Sequence, residues 1–244
     1  MVLLLFVDLD PDLMALRPLG GFFVLRTIGS TAEASPRALP SLAQVYENRS
    51  SDVYGNPMTF RVRKVAAALR APEPRIAASI AHLGLAARLW SVALGCAVRY
   101  GRIPDLAPHR LRWDPDASAP DDLWLDGLLP LPGDAGTIAE VVLRGHLEPL
   151  AATLHTEYRL ATGLLWGNAG SALTGAVRQL GHRSTVARDL AAELLAHPLL
   201  EGTLDGTTLR RRSCCLYYRL PGGGVCGDCC FTRAPGSSPR GASG

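Results

Sequence analysis

Five of the six cysteines of this chain fall between positions 214 and 230. They stand in Arg210-Arg211-Arg212-Ser213-Cys214-Cys215 and, ten residues later, in Cys226-Gly227-Asp228-Cys229-Cys230. Cys214, Cys215, Cys226 and Cys229 form the pattern Cys-Cys-x10-Cys-x2-Cys, and four thiolates are what a two-iron, two-sulfide cluster requires of its protein. Cys226 and Cys229 have the spacing at which a tight turn, here through Gly227 and Asp228, lets two sulfurs converge on one centre. The vicinal pair is less usual. In an extended strand Cys214 and Cys215 would point to opposite faces, so joint ligation predicts a kinked backbone there. Leu216-Tyr217-Tyr218-Arg219-Leu220 would shield such a site, and Pro221-Gly222-Gly223-Gly224 would bring backbone N–H groups to the sulfurs. A structural zinc ion would use the same four thiolates, and vicinal cysteines also serve as disulfide partners or inert thiols. Cys230 reads as a spare, a small apolar residue at the edge of the site. Gly222 to Gly227 matches Gly-x-Gly-x-x-Gly but neither follows a credible strand nor opens a helix, so it carries no nucleotide reading.

The cysteine pattern closely resembles the C-terminal signature of the FhuF-like ferric-siderophore reductases, in which Cys-Cys-x10-Cys-x2-Cys binds a [2Fe–2S] cluster. Cys214, Cys215, Cys226 and Cys229 fill the four family ligand positions. A second likeness lies in Leu164-Leu165-Trp166-Gly167-Asn168-Ala169-Gly170-Ser171-Ala172-Leu173. It is similar to the Trp-Gly-Asn segment that these reductases share with siderophore synthetases of the aerobactin type. With the stretch around His82 to Trp90, the resemblance runs from about residue 75 to 231. It implies one-electron reduction of a ferric siderophore of the hydroxamate type, with a reduced ferredoxin or flavoprotein as donor. Fe(II), larger and softer than Fe(III), is held less tightly by hard oxygen ligands, which explains release. A bulky chelate needs a concave surface with donors near the cluster, and Arg144, His146, Trp166, Asn168 and Arg178 are the candidates. Each also has an ordinary reading: His146 as a satisfied structural histidine, Trp166 as core, Asn168 as a cap or backbone-bonding amide. Arg210, Arg211 and Arg212 would raise the potential of an anionic cluster, unless the run is a solvated linker. The rivals are a binding or regulatory module held by zinc, and a diverged siderophore-synthetase-like protein, for whose nucleotide-binding part there is no counterpart.

The rest of the chain supplies no competing chemistry. There is no His-Glu-x-x-His, no Walker loop and no Gly-x-Ser-x-Gly, and electron transfer needs none of them. The net charge of +3 is carried almost wholly by arginine, Lys64 being the only lysine. Outside Arg210 to Arg212 no basic face with interleaved aromatics suggests nucleic acid. Val2 to Val7 is too short, too acidic in its flank and too poor in basic residues for a signal peptide. The expectation is a cytoplasmic protein, in a compartment that disfavours a disulfide framework, with a peripheral place at the inner face of the membrane left open. Ile76 to Val98 is long enough to span a bilayer. His82 and Arg88 near its middle, where an arginine costs about 2.5–3.5 kcal/mol, predict a buried helix instead, with Cys96 in the core and no transmembrane segment.

These pieces must be positioned by a mainly α fold. With 48% hydrophobic and 19% charged residues the chain is globular in balance. Residues 1–36 leave a choice between an edge hairpin and a lead-in. Ser35-Pro36 looks like a helix start, Leu39 to Glu47 a short helix, Asn48 to Pro57 a turn-rich link, and Phe60 to Leu69 a helix ended by Pro72 and Pro74. After the helix of 75–100, Leu111-Arg112-Trp113 and Leu123-Trp124-Leu125 read as a short β-hairpin among prolines. Ile138, Val141, Val142, Leu147, Leu150, Leu154 and Tyr158 mark one buried helical face, followed by helices over Leu160 to Leu180 and Ser184 to Leu195. The expected divisions are an N-terminal region, 1–74, partly helical; a helical body, 75–208; a cluster-binding segment, 209–231; and a disordered tail, 232–244.

Overall fold

The computed structural model describes residues 9–10, 13–28, 38–47, 56–181 and 184–235. Val2 to Val7, Ser35-Pro36, nearly all of Asn48 to Pro57 and most of the tail lie outside them. The strands are β1 (Arg26–Ile28), β2 (Arg102–Pro104), β3 (Leu111–Trp113), β4 (Leu123–Asp126) and β5 (Pro130–Pro132). The helices are α1 (Leu42–Glu47), α2 (Pro57–Leu69), α3 (Pro74–Tyr100), α4 (Ala135–Ile138), α5 (Glu148–Tyr158), α6 (Thr162–Leu180) and α7 (Thr185–Leu195), with a π-helical stretch, Ala139–Leu147, joining α4 to α5. The fold is mainly α with small sheets, as the sequence predicts.

The body is built around α3. Proline at its first turn costs no hydrogen bond, because that N–H has no helical partner. Gly101 ends it at φ +66°, a left-handed cap that a side chain would disfavour. α6 packs along α3 more extensively than any other element, and the Trp90 indole N–H reaches across to the Ala169 carbonyl at 3.1 Å. By length and composition α3 could cross a membrane, but 78% of its most apolar window is buried within the protein. Arg88 has a built partner set rather than lipid: Nε meets Asp122 Oδ1 at 2.9 Å and Nη1 donates to the Phe22 carbonyl. α3 is the core helix.

The predicted hairpin is β3–β4, antiparallel, with Leu111 opposite Leu125 and Trp113 opposite Leu123. Two partners were not legible. β1 lies parallel to β4 on its other edge, so among the described residues the lead-in joins the sheet through β4. β2 pairs with β5, Ile103 opposite Leu131, with prolines at Pro104, Pro130 and Pro132. In a two-stranded pair both strands are edges, where a residue without N–H is tolerated, so a proline-rich stretch that reads as loop becomes a strand.

The helical run after Thr137 begins where Asp134 caps the Thr137 amide at 2.8 Å. It widens to π geometry over Ala139–Leu147, carrying the Glu148 N–H to the Leu143 carbonyl. That turn buries His146. Its Nε2 lies 2.6 Å from the Leu106 carbonyl, an acceptor, so Nε2 carries the proton and Nδ1 accepts from the Tyr46 hydroxyl at 2.9 Å. Burial lowers its pKa to about 4, against a smaller upward pull from Leu106. Because the folded pKa lies below the unfolded one, the unfolded chain takes up the proton first and stability falls as pH drops from about 6.5 towards 4. Each such proton contributes up to about 1.4 kcal/mol per pH unit. Urea unfolding at pH 7, 6 and 5 is expected to show this decline, and His146→Gln a shallower one. An unchanged slope in the variant would assign the acid sensitivity elsewhere.

Candidate metal centre

The cysteine segment is delivered by a short ladder after α7. Leu204 bridges Arg211, the Asp205 amide donates to the Arg210 carbonyl at 2.7 Å, and the Arg212 amide to the Thr203 carbonyl at 3.0 Å. This ladder rests on α6 where α6 has no side chains. A Cβ at Gly170 would stand 2.8 Å from Thr203 Oγ1, and one at Gly167 would overlap the Ser213 hydroxyl. The Trp-Gly-Asn stretch is thus the floor on which the cluster segment lies. Beyond Cys215 the chain turns sharply through Leu216, at φ +70°, into a 3-10 turn, Tyr217–Arg219. The bend falls one residue after the vicinal pair, at Leu216 and not between Cys214 and Cys215. Leu216 and Leu220 are buried in the main core and pin the segment to the body.

The sulfurs converge. The Cys215 thiol lies 3.5 Å from Cys226 Sγ, and Cys226 Sγ lies 3.6 Å from Asp228 Oδ1. The Cys229 amide closes the turn on the Cys226 carbonyl at 3.1 Å. Cys214 and Cys229 accept from the Leu216 and Phe231 amides at 3.2 and 3.4 Å. The Cys230 thiol interacts with Cys214 and Cys229, so the fifth cysteine belongs to the same cluster of thiols. Cys215 and Cys229 are buried and the other three half-buried, while Cys96 lies in the core of α3.

Ionisation is resisted at Cys214, Cys226 and Cys230. Burial first, then Cys215 and Asp228, raise the Cys226 thiol far above its usual range, with Arg211 pulling the other way. Burial and then neighbouring cysteines push Cys230 up to about 11, and burial also raises Cys214. Crowded thiols of this kind give up protons when metal cations replace them. The donor set also leaves buried donors without acceptors: Arg211 Nη1 and the Ser213 hydroxyl. Unpaired buried donors are costly, and the Ser213 hydroxyl lies against Gly167 on the α6 floor. Among the described residues no three His, Cys, Asp or Glu side chains are gathered to hold one metal ion. On donor chemistry, with four thiols on one short segment and two of their sulfurs 3.5 Å apart, the residues fit a [2Fe–2S] cluster.

Beneath the sulfurs runs a buried polar network. The Ser79 hydroxyl donates to the Cys215 carbonyl at 2.9 Å, Asn168 Nδ2 donates to the Ser79 carbonyl at 2.9 Å, and Arg211 Nη2 donates to Asn168 Oδ1. The Arg211 amide donates to the Asp228 carbonyl at 2.9 Å, and its Nε stands 3.5 Å from Asp228 Oδ2, an ion pair without a hydrogen bond. His82, also buried, is held neutral, its pKa lowered to about 3 by desolvation and by Arg211. Arg210 clamps the segment from outside, donating to the carbonyls of Cys229 and Phe231.

Of the five residues considered for substrate, Asn168 alone enters this network. Trp166 is half-buried against the core, and His146 is tied to Tyr46 and Leu106. Arg144 pairs with Glu148 on the surface at 3.4 Å. Arg178 lines a largely apolar cavity of about 470 Å³ with Thr174, Val177, Arg188 and Leu209. Sequence reasoning missed Ser79, His82 and Asp228. Ser79 and His82 were hidden in an apolar run, although polar residues on a buried helix face are themselves a signal.

Residues 211–231 match the family model of the FhuF 2Fe-2S C-terminal domain. No curated protein matches the chain. The cofactor of this segment is a [2Fe–2S] cluster, and the chain is an iron–sulfur protein.

Proposed function

We propose that this chain passes one electron to a ferric siderophore of the hydroxamate type, so that iron leaves as Fe(II). The observation that carries the reading is the match of residues 211–231 to the FhuF 2Fe-2S domain, a stretch that holds Cys214, Cys215, Cys226 and Cys229 and brings Cys215 Sγ to 3.5 Å from Cys226 Sγ. These four thiols are the proposed ligands, and when bound the cluster supplies a one-electron centre, of about −400 mV in plant-type ferredoxins with four thiolates. The chain does the rest. Leu216 and Leu220 keep water from its inner side, Arg210 fixes the Cys229 loop, and the Leu216 and Phe231 amides stabilise charge on two sulfurs. The half-buried Cys214, Cys226 and Cys230 leave one side of the segment within reach of a bulky chelate. A reduced ferredoxin or flavoprotein is the proposed donor, and the cytoplasm the proposed location.

The test is anaerobic. Dithionite-reduced protein, freed of excess reductant and mixed with ferrioxamine B, is expected to yield one Fe(II) per chain, trapped by a ferrous chelator, with no nucleotide present. Reoxidation whose rate ignores the siderophore concentration, or that yields no Fe(II), would refute the reductase reading and leave an iron–sulfur protein of another use.

A further inference from the structure

The three consecutive arginines ahead of the cysteines part company in the fold. Arg210 and Arg212 are exposed. Arg211 is 3% exposed. Its guanidinium is held from below by Asn168 and flanked by Asp228, its Nη1 has no acceptor, and its charge acts on Cys226. A buried guanidinium is expensive unless charge of opposite sign compensates it. Asp228 offers one carboxylate at ion-pair distance but no hydrogen bond.

We infer that Arg211 sets the reduction potential of the cluster from inside the protein, as a buried positive charge matched to the centre that the cysteines hold. A cluster with four thiolate ligands gains one negative charge on reduction, and a cation in a low-dielectric surrounding stabilises the reduced state more than the oxidised one. Burial also removes Arg211 from ionic screening, whereas the field of Arg212 passes through water and decays over about 8–10 Å at ordinary salt. Asp228, beside Cys226, acts with the opposite sign, so the potential reflects the pair: removing Arg211 uncovers the carboxylate and adds to the fall. The inference rests on the reading that these cysteines carry the cluster, and it is independent of any siderophore.

The experiment is a dithionite titration of whole, cluster-loaded protein, followed by EPR at low and high salt. R211Q is expected to lower the reduced-to-oxidised ratio at fixed potential at least tenfold, equal to about 59 mV for one electron, at both salt concentrations. R211K, which keeps the charge, is expected to lie close to wild type, D228N to shift the other way, and R212Q to show a smaller change that vanishes at high salt. If R211Q fails to hold iron, N168D takes its place: a carboxylate at the atom that accepts from Arg211 offsets the charge and must lower the ratio. Equal potentials in wild type and R211Q, an R211K loss as large as that of R211Q, or a shift abolished by salt would overturn the inference. Wild-type protein without a [2Fe–2S] signal would instead sink the reading beneath it.

Discussion

Cys226→Ser and Cys215→Ser are expected to lose the cluster, falling from two irons and two acid-labile sulfides per chain to a small residue of iron. The two sulfurs lie 3.5 Å apart across the fold of the segment, one on each side of the Leu216 turn. A serine oxygen is a harder donor than thiolate and its hydroxyl is far less readily deprotonated, and the Leu216 and Leu220 anchors hold the backbone against a shift that would bring another sulfur into place. Cys230→Ser is expected to keep iron, sulfide and spectrum. Because the Cys230 thiol contacts Cys229 and Cys214, Cys229→Ser is best measured with and without Cys230→Ser. Residual cluster that disappears in the double variant identifies Cys230 as the sulfur standing in. Chemical analysis of anaerobically purified protein, with the visible spectrum before and after dithionite, decides all of these. A wild-type spectrum in Cys226→Ser would refute the ligand assignment.

Asn168→Ala is expected to cost about 3 kcal/mol, and to make the cluster labile as well. Asn168 is fully buried; it donates to the Ser79 carbonyl and hydroxyl and accepts from Arg211. Truncation leaves a buried guanidinium with its ion pair to Asp228 and no amide oxygen; a hydrogen bond to a charged group contributes about 1.5–3 kcal/mol, and each of the two bonds to Ser79 about 1 kcal/mol more. Relaxation of Arg211 towards the sulfurs offsets part of that, hence the lower figure. For a chain of this length 1 kcal/mol moves Tm by about 2–4 °C, so a fall of roughly 6–12 °C is expected by calorimetry. Iron loss to a chelator should quicken, because the Ser79 hydroxyl that holds the Cys215 carbonyl is oriented by the same amide. A variant within about 0.5 kcal/mol of wild type would mean that the network is ornamental to the segment.

The sequence by itself determined the grouping of the thiols, the helical body and the hairpin. Thiolate count and spacing are local facts, and the 3.6-residue period of α6 and α7 and the Leu111 to Leu125 alternation are properties of neighbouring residues. It also predicted a buried helix around Arg88, and α3 is largely buried, with Arg88 paired to Asp122. The tertiary structure alone decided which residues support the site. Ser79, Asn168 and Arg211 are separated by 89 and 43 positions, so only the packing of α6 on α3, and of the ladder on Gly167 and Gly170, brings them under Cys215. The same holds for the strands: β1 beside β4 and the proline-edged β2–β5 pair depend on partners far along the chain, for which no local pattern exists. Three like arginines in a row are indistinguishable as sequence. Burial separated Arg211 from its neighbours, because it is the one whose side chain turns inward from the ladder opposite Leu204, away from the screening of water.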